Sequence, residues 1–129
     1  MIIDSSAIVA ILLDEPEADQ FMSVIAGSDN CVMSAVNLFE ASMVIGSRLG
    51  DDGDERLDRL IKQLKINIVE FTPMQAQIAR RAFHTYGKGR HSASLNFGDC
   101  MAYALAKNFD EPLLFKGNDF SKTDIVAAA

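Results

Sequence analysis

Four acids in this chain of 129 residues stand where an apolar element gives way to something else, and solvated surface carboxylates do not usually sit there. Asp4 closes the apolar run Met1-Ile2-Ile3, and Glu40 interrupts an apolar helical pattern. Asp99 opens a further helical pattern, and Asp119 follows the run Leu113-Leu114-Phe115. Carboxylates gathered in one pocket raise each other's pKa, so a lasting cluster normally needs a cation to neutralise it. The chemistry expected of such a group is divalent-metal binding in the service of hydrolysis. Mg²⁺ and Mn²⁺ take hard oxygen ligands and keep several waters, so carboxylates around a solvent-filled pocket suit them better than His or Cys.

Each acid also has a purely structural reading. Asp4 can cap a helix that begins at Ser5 or Ser6, and Asp99, three residues after Asn96, can complete a capping box. Asp119, in Lys116-Gly117-Asn118-Asp119, can be a turn residue. Glu40 resists such a reading because Val36, Met43 and Val44 share its helix face. A carboxylate among them needs a partner such as Arg48 or Arg80, or a metal. One shared pocket accounts for all four acids together.

The elements that must position these acids follow from periodicity. Apolar runs at 1–4, 31–33, 66–71 and 112–115 predict strands, with a weaker candidate at 123–127. Helical patterns fill the gaps: 5–13, a second helix from Pro16 to about Ala26, and a third over 35–48 that ends before Gly50. After a polar loop at Asp51 to Asp54, Leu57, Leu60, Ile61 and Leu64 form the stripe of a fourth helix. A fifth runs from Pro73 to near Gly87, and the last from about Phe97 to Asn108 after a glycine- and serine-containing loop. Helices between consecutive strands imply parallel pairing through right-handed crossovers, hence an α/β fold, a three-layer α/β/α sandwich with a mainly parallel sheet. Ligands in such sheets bind beyond the carboxyl ends of the strands, where Asp4 and Asp119 both lie.

Composition bounds the function. An apolar fraction of 49% over residues 1–129 supports one domain with its own core. The apolar stretches are too short to span a bilayer and Met1-Ile2-Ile3-Asp4 lacks a basic start, so a soluble, cytoplasmic protein is expected. Cys31 and Cys100 are isolated in apolar surroundings and read as reduced core residues. The net charge of −6 argues against nucleic acid until its distribution is considered. Residues 80–91 contain no acid and carry Arg80, Arg81, Lys88 and Arg90. These cations are the candidates for holding substrate phosphates, with His84 and His91 beside them. No Gly-x-x-x-x-Gly-Lys loop or dinucleotide fingerprint is present, which disfavours a nucleotide cofactor.

The opening Ile2-Ile3-Asp4-Ser5-Ser6-Ala7, the mid-chain Glu40, the stretch Leu95-Asn96-Phe97-Gly98-Asp99-Cys100 with Ala102-Tyr103-Ala104, and the late Gly117-Asn118-Asp119-Phe120 resemble PIN-domain ribonucleases. Their order, spacing and chain length resemble the VapC toxins of bacterial type II toxin-antitoxin pairs. The resemblance implies metal-dependent cleavage of RNA, with tRNA or ribosomal RNA as target. Asp4, Glu40, Asp99 and Asp119 match the acidic quartet, and Ser6 matches the small hydroxyl residue after the first acid. Asp4 and Asp99 are expected to ligate one or two Mg²⁺ ions, with Mn²⁺ as substitute, and Glu40 to bind metal or position water. Asp119 is expected to be a direct ligand, a ligand through water or an orienting group. Ser6, Asn96 and Asn118 are expected to support the acids from behind. Lys116 stands where the family often has Thr or Ser; it either reaches a substrate phosphate or is solvated. The resemblance also implies a VapB-like antitoxin, a homodimer and higher toxin-antitoxin assemblies, with the stripe Leu57, Leu60, Ile61 and Leu64 either lining the antitoxin groove or packing in the core.

Competing readings are a phospho-acceptor domain, a phosphatase of α/β fold, and a catalytically silent PIN-like binding module. The first wants paired acids near its first strand and the second an acid two residues after its nucleophile, where this chain has Ser5-Ser6 and Ser6.

Overall fold

Alternation of side chains along very short strands determines the architecture. In the computed structural model, which describes residues 1–129, β1 (Ile2–Ile3), β2 (Cys31–Ser34), β3 (Ile66–Val69) and β4 (Leu113–Leu114) form one parallel sheet in the order β3-β2-β1-β4. Ile2 is level with Val32 on one side and Leu113 on the other. These three residues enter one apolar core, whereas Ile3, Cys31, Met33 and Leu114 enter the other, as a period of two requires.

The helices are α1 (Ser5–Leu12), α2 (Ala18–Ala26), α3 (Ala35–Leu49), α4 (Gly53–Gln63), α5 (Pro73–Tyr86) and α6 (Phe97–Phe109). Ala7, Ile8, Ala10, Phe21, Ile25, Leu57 and Leu60 bury α1, α2 and α4 in the core on the Ile3 face. Ala79 and Ala82 of α5 and Cys100 to Ala106 of α6 fill the opposite core. The result is the expected three-layer sandwich. Of the stripe, Leu57 and Leu60 pack inward and Ile61 and Leu64 are half-buried against the same core, which favours the core reading.

Caps set the helix starts. Asp4 caps α1, Ser34 caps α3, Thr72 caps α5 just ahead of Pro73, and Asn96 with Asp99 makes a reciprocal capping box on α6. Asp4 and Ser34 stand at strand carboxyl ends, so helix N-termini collect at one edge of the sheet. At its other end α5 stops at Gly87, where a Cβ would lie 2.3 Å from the Phe83 carbonyl oxygen.

Three boundaries differ from expectation. The second helix begins at Ala18 and not at Pro16. The polar stretch Asp51–Asp54 is no loop: Gly50–Asp52 forms a 3-10 turn that continues into α4, whose first turn carries Asp54 and Glu55 in accord with the helix dipole. The segment 123–127 is not a full strand. Phe120–Lys122 makes a 3-10 turn, and beyond it only Ala127 pairs with Leu113, through bonds of 2.9 Å from Leu113 N–H to the Val126 carbonyl and from Ala128 N–H to the Leu113 carbonyl. This tail is clasped to α6 by the Tyr103 hydroxyl and the Lys107 ammonium, which donate to the two oxygens of Asp124 at 2.8 and 2.9 Å. Both cysteines are buried and free, and no helix is long and apolar enough to cross a membrane.

Candidate active site

Asp4 leaves β1 at its carboxyl end with its N–H donating to the Leu114 carbonyl at 2.9 Å, and only 3% of the residue is exposed. Its Oδ2 accepts from the Ser6 N–H at 3.1 Å and the Ser6 hydroxyl at 2.5 Å. The same hydroxyl accepts from the Lys116 N–H at 2.9 Å, which ties α1 to the end of β4. Oδ1 is buried without any partner. Burial drives the Asp4 pKa up to about 7 against the opposing Ser6 hydrogen bonds, and the charges of Asp99 and Glu40 add to the rise. Keeping Asp4 ionised at neutral pH therefore costs the fold on the order of 4 kcal/mol.

Glu40 sits on α3 with no ion pair to Arg48 or Arg80. Its Oε1 accepts from the Ser5 hydroxyl at 2.5 Å and the Asn37 amide at 3.2 Å. Asn37 Nδ2 donates as well to the Gly98 carbonyl at 3.0 Å, joining α3 to the first turn of α6. A Cβ on Gly98 would fall 1.8 Å from Glu40 Oε2, so the carboxylate occupies the space that any other residue there would need.

Asp99 completes the expected capping box. Its N–H donates to Asn96 Oδ1 at 2.9 Å and its Oδ2 accepts from the Asn96 N–H at 3.0 Å. Burial still pushes its pKa up to about 6, opposed by the Asn96 N–H and reinforced by the charges of Asp119 and Glu40. Asp119 is different in kind. It is exposed at the start of the 3-10 turn, and its carboxylate makes no hydrogen bond; Phe120, 2% exposed and 5.0 Å from the Phe115 ring, anchors the segment. Asn118 contributes its carbonyl to Ser121, and its side chain touches none of the acids.

The sheet edge thus places Asp99 and Glu40 within electrostatic reach of Asp4, and Asp119 within reach of Asp99. Their oxygens do not close on a single point, since no three of them form a ready-made ligand set. The donor set nonetheless suits a divalent ion: hard oxygens only, mutual repulsion, and a buried Asp4 oxygen with its bonding capacity unspent. Ser5, Asn37 and Gly98 are the site residues that sequence reasoning missed. The one available signal was Asn37, a polar residue one turn before Glu40 on the same apolar helix.

The cations do not form one patch. Arg80 borders a hollow of about 380 Å³ lined by Phe71, Phe83, Phe97 and Met101, and Arg90 stacks 5.3 Å from the Phe83 ring. Arg81 faces elsewhere, toward Tyr103, Lys107 and Asp124. Lys88 is exposed on the loop after α5. Lys116 is engaged by Glu15 at 2.7 Å and Glu17 at 3.4 Å, which departs from the reading of it as a solvated lysine.

The sequence model of the PIN domain matches residues 1–126. The chain belongs to the PIN-domain family. It is 45% identical over 129 residues to ribonuclease VapC30 of Mycobacterium tuberculosis, covering 100% of this chain and 98% of that one. It is also 46% identical over 127 residues to a ribonuclease VapC of Mycolicibacterium smegmatis, covering 98% of each. Within the PIN family it is therefore VapC-like, an endoribonuclease and a hydrolase of RNA phosphodiesters. Its fold is shared with M. tuberculosis VapC20, described as a sarcin-ricin loop cleaving toxin: TM-score 0.78, 13% identity, 97% of this chain and 95% of that chain. A chain of a toxin-antitoxin complex from Klebsiella pneumoniae gives 0.71 at 18% identity, with 99% and 97% covered.

Proposed function

We propose that this PIN-domain chain is the toxin of a toxin-antitoxin pair and cuts structured RNA, tRNA or ribosomal RNA, at the pocket of Asp4, Glu40, Asp99 and Asp119. The observation that carries the reading is the partnerless buried oxygen of Asp4, on a carboxyl whose pKa is raised by burial and further by the charges of Asp99 and Glu40. Asp4 and Asp99 would hold one or two Mg²⁺ ions, or Mn²⁺ in their place. When bound, such an ion supplies Lewis acidity and makes a water acidic enough to attack phosphorus at neutral pH. Ser6 fixes one oxygen of Asp4 and leaves the other for ligation. Glu40 Oε2, which takes no hydrogen bond, orients the attacking water or ligates. Asp119 acts from the exposed side, through water or as an orienting group. Attack by water breaks the P–O3′ bond and leaves a 5′-phosphate and a 3′-hydroxyl, without use of the RNA 2′-hydroxyl.

Substrate phosphates are held by Arg80, Arg90 and Lys88. Residues 1–129 work as one PIN-like domain in the cytoplasm. The partners are a VapB-like antitoxin, whose basic side chain neutralises the acidic pocket, and a second copy of the chain, with higher assemblies built from these. Support for such contacts comes from Phe39, Met43 and Phe97, which are 64%, 56% and 73% exposed. They line a hollow of about 330 Å³ together with Glu40. The test is digestion of a mixed tRNA and ribosomal RNA pool by antitoxin-free protein with Mg²⁺, Mn²⁺ or EDTA, with the ends mapped. Discrete cuts bearing 5′-phosphates and abolished by EDTA are expected. A folded protein that cuts nothing with either metal points instead to the silent binding module.

A further inference from the structure

We propose that Ser5, Asn37 and Gly98 are positioning residues: they form a cradle that sets Glu40 in one orientation and, through it, the spacing of Asp4 and Asp99. The inference rests on the reading of these acids as one metal pocket, and it assigns work to three residues outside the acidic quartet.

Glu40 spends one oxygen entirely on the protein. Oε1 takes both the Ser5 hydroxyl and the Asn37 amide, while Oε2 takes no hydrogen bond and lies over the bare Cα of Gly98. The carboxylate is therefore held on one side and confined on the other, with a single oxygen left for outside work. Asn37 is fully buried, and its orientation is settled by what it faces. Its Nδ2 points at two acceptors, Glu40 Oε1 and the Gly98 carbonyl; the flipped amide would set an oxygen against both. Asn37 Oδ1 is left buried without a partner. A residue selected for packing alone would avoid that cost, so the two donated bonds are what the position is for.

The three cradle residues also lie on three elements. Ser5 follows Asp4 at the start of α1, Asn37 shares α3 with Glu40, and Gly98 precedes Asp99 in α6. Ser5 to Glu40 joins α1 to α3, and Asn37 to the Gly98 carbonyl joins α3 to α6. Moving Glu40 thus moves the attachments of the residues beside Asp4 and Asp99.

A double-mutant cycle of Gly98→Ala and Glu40→Ala tests this, read by Mn²⁺ titration calorimetry and by Tm with EDTA. In the wild-type background Gly98→Ala should weaken Mn²⁺ binding by about tenfold to a hundredfold, as loss of a ligand's supporting partner does, and lower Tm. In the Glu40→Ala background it should leave Mn²⁺ binding unchanged and no longer lower Tm, because the obstructed carboxylate is gone and alanine suits a helix better than glycine. Equal effects in both backgrounds, or none in the first, overturn the cradle. If Gly98→Ala does not fold, Ser5→Ala against Ser5→Thr decides: Ala should lower Mn²⁺ affinity and Thr restore it, and equal affinities overturn the proposal. A wild-type protein that neither binds Mn²⁺ nor cuts RNA defeats the metal-pocket reading alone, and the Tm arm of the cycle still reports on the cradle.

Discussion

Glu40 and Asp119 are both acids at the same edge of the sheet, yet the chain treats them in opposite ways. Glu40 is wedged between two donors and a glycine, whereas Asp119 stands exposed on a short turn with no bond of its own. Asp4 and Asp99 fall on the Glu40 side, each with one oxygen anchored and a raised pKa. The pocket therefore has a rigid wall, built from α1, α3 and α6, and an adjustable one carried by the segment after β4. A rigid wall can pre-organise ligands before metal arrives, while an exposed acid can adapt to a hydrated ion or a bulky substrate.

Substitutions should rank in that order. Asp4→Asn and Asp99→Asn should each lower RNA cleavage about a thousandfold or more, since each removes several kcal/mol of ligation or charge stabilisation; assay of cut ends on one RNA decides it. Glu40→Gln keeps the shape and should cost about a hundredfold through loss of the base or ligand. Asp119→Asn should cost about tenfold or less, and a larger loss than for Glu40→Gln would reverse the comparison of the two walls.

Acidity sharpens the same contrast. Asp4 and Asp99 have pKa values raised from 3.8 to about 7 and about 6 in the fold. Between about pH 4 and pH 7 the folded chain thus binds more protons than the unfolded chain, and metal-free stability falls as pH rises through that window. A divalent ion needs the deprotonated forms, so the Tm gain on adding Mn²⁺ should be small near pH 5 and large near pH 8. A gain independent of pH would place the ion away from these two carboxylates. The smallest effect is expected from Lys116→Ala. It leaves the backbone N–H bond to Ser6 intact and breaks only a partly exposed ion pair, so Tm and cleavage should hardly change. Arg90→Ala, by contrast, should raise the KM for RNA.

The elements and the four acids were legible because their signals are local. Short apolar runs, Pro73 and the Asn96 to Asp99 box lie within a few residues of the boundaries they set. What escaped was long-range. Asn37 meets Gly98 across 61 positions and Lys116 meets Glu15 across 101, and no periodicity encodes such pairs. The separation of Arg80 from Arg81 could have been foreseen, since consecutive helical residues point about 100° apart.

One consequence of the C-terminal tail concerns association and not catalysis. β4 is an outer strand of the sheet, and its free side is followed by Val126 to Ala128, held in place through the Asp124 clasp. An uncovered strand edge is a template for pairing with another chain. The tail thus works as a guard rail: removing residues 124–129, or cutting the clasp with Asp124→Ala, should leave a protein that still folds its two cores but gathers into edge-paired aggregates on concentration.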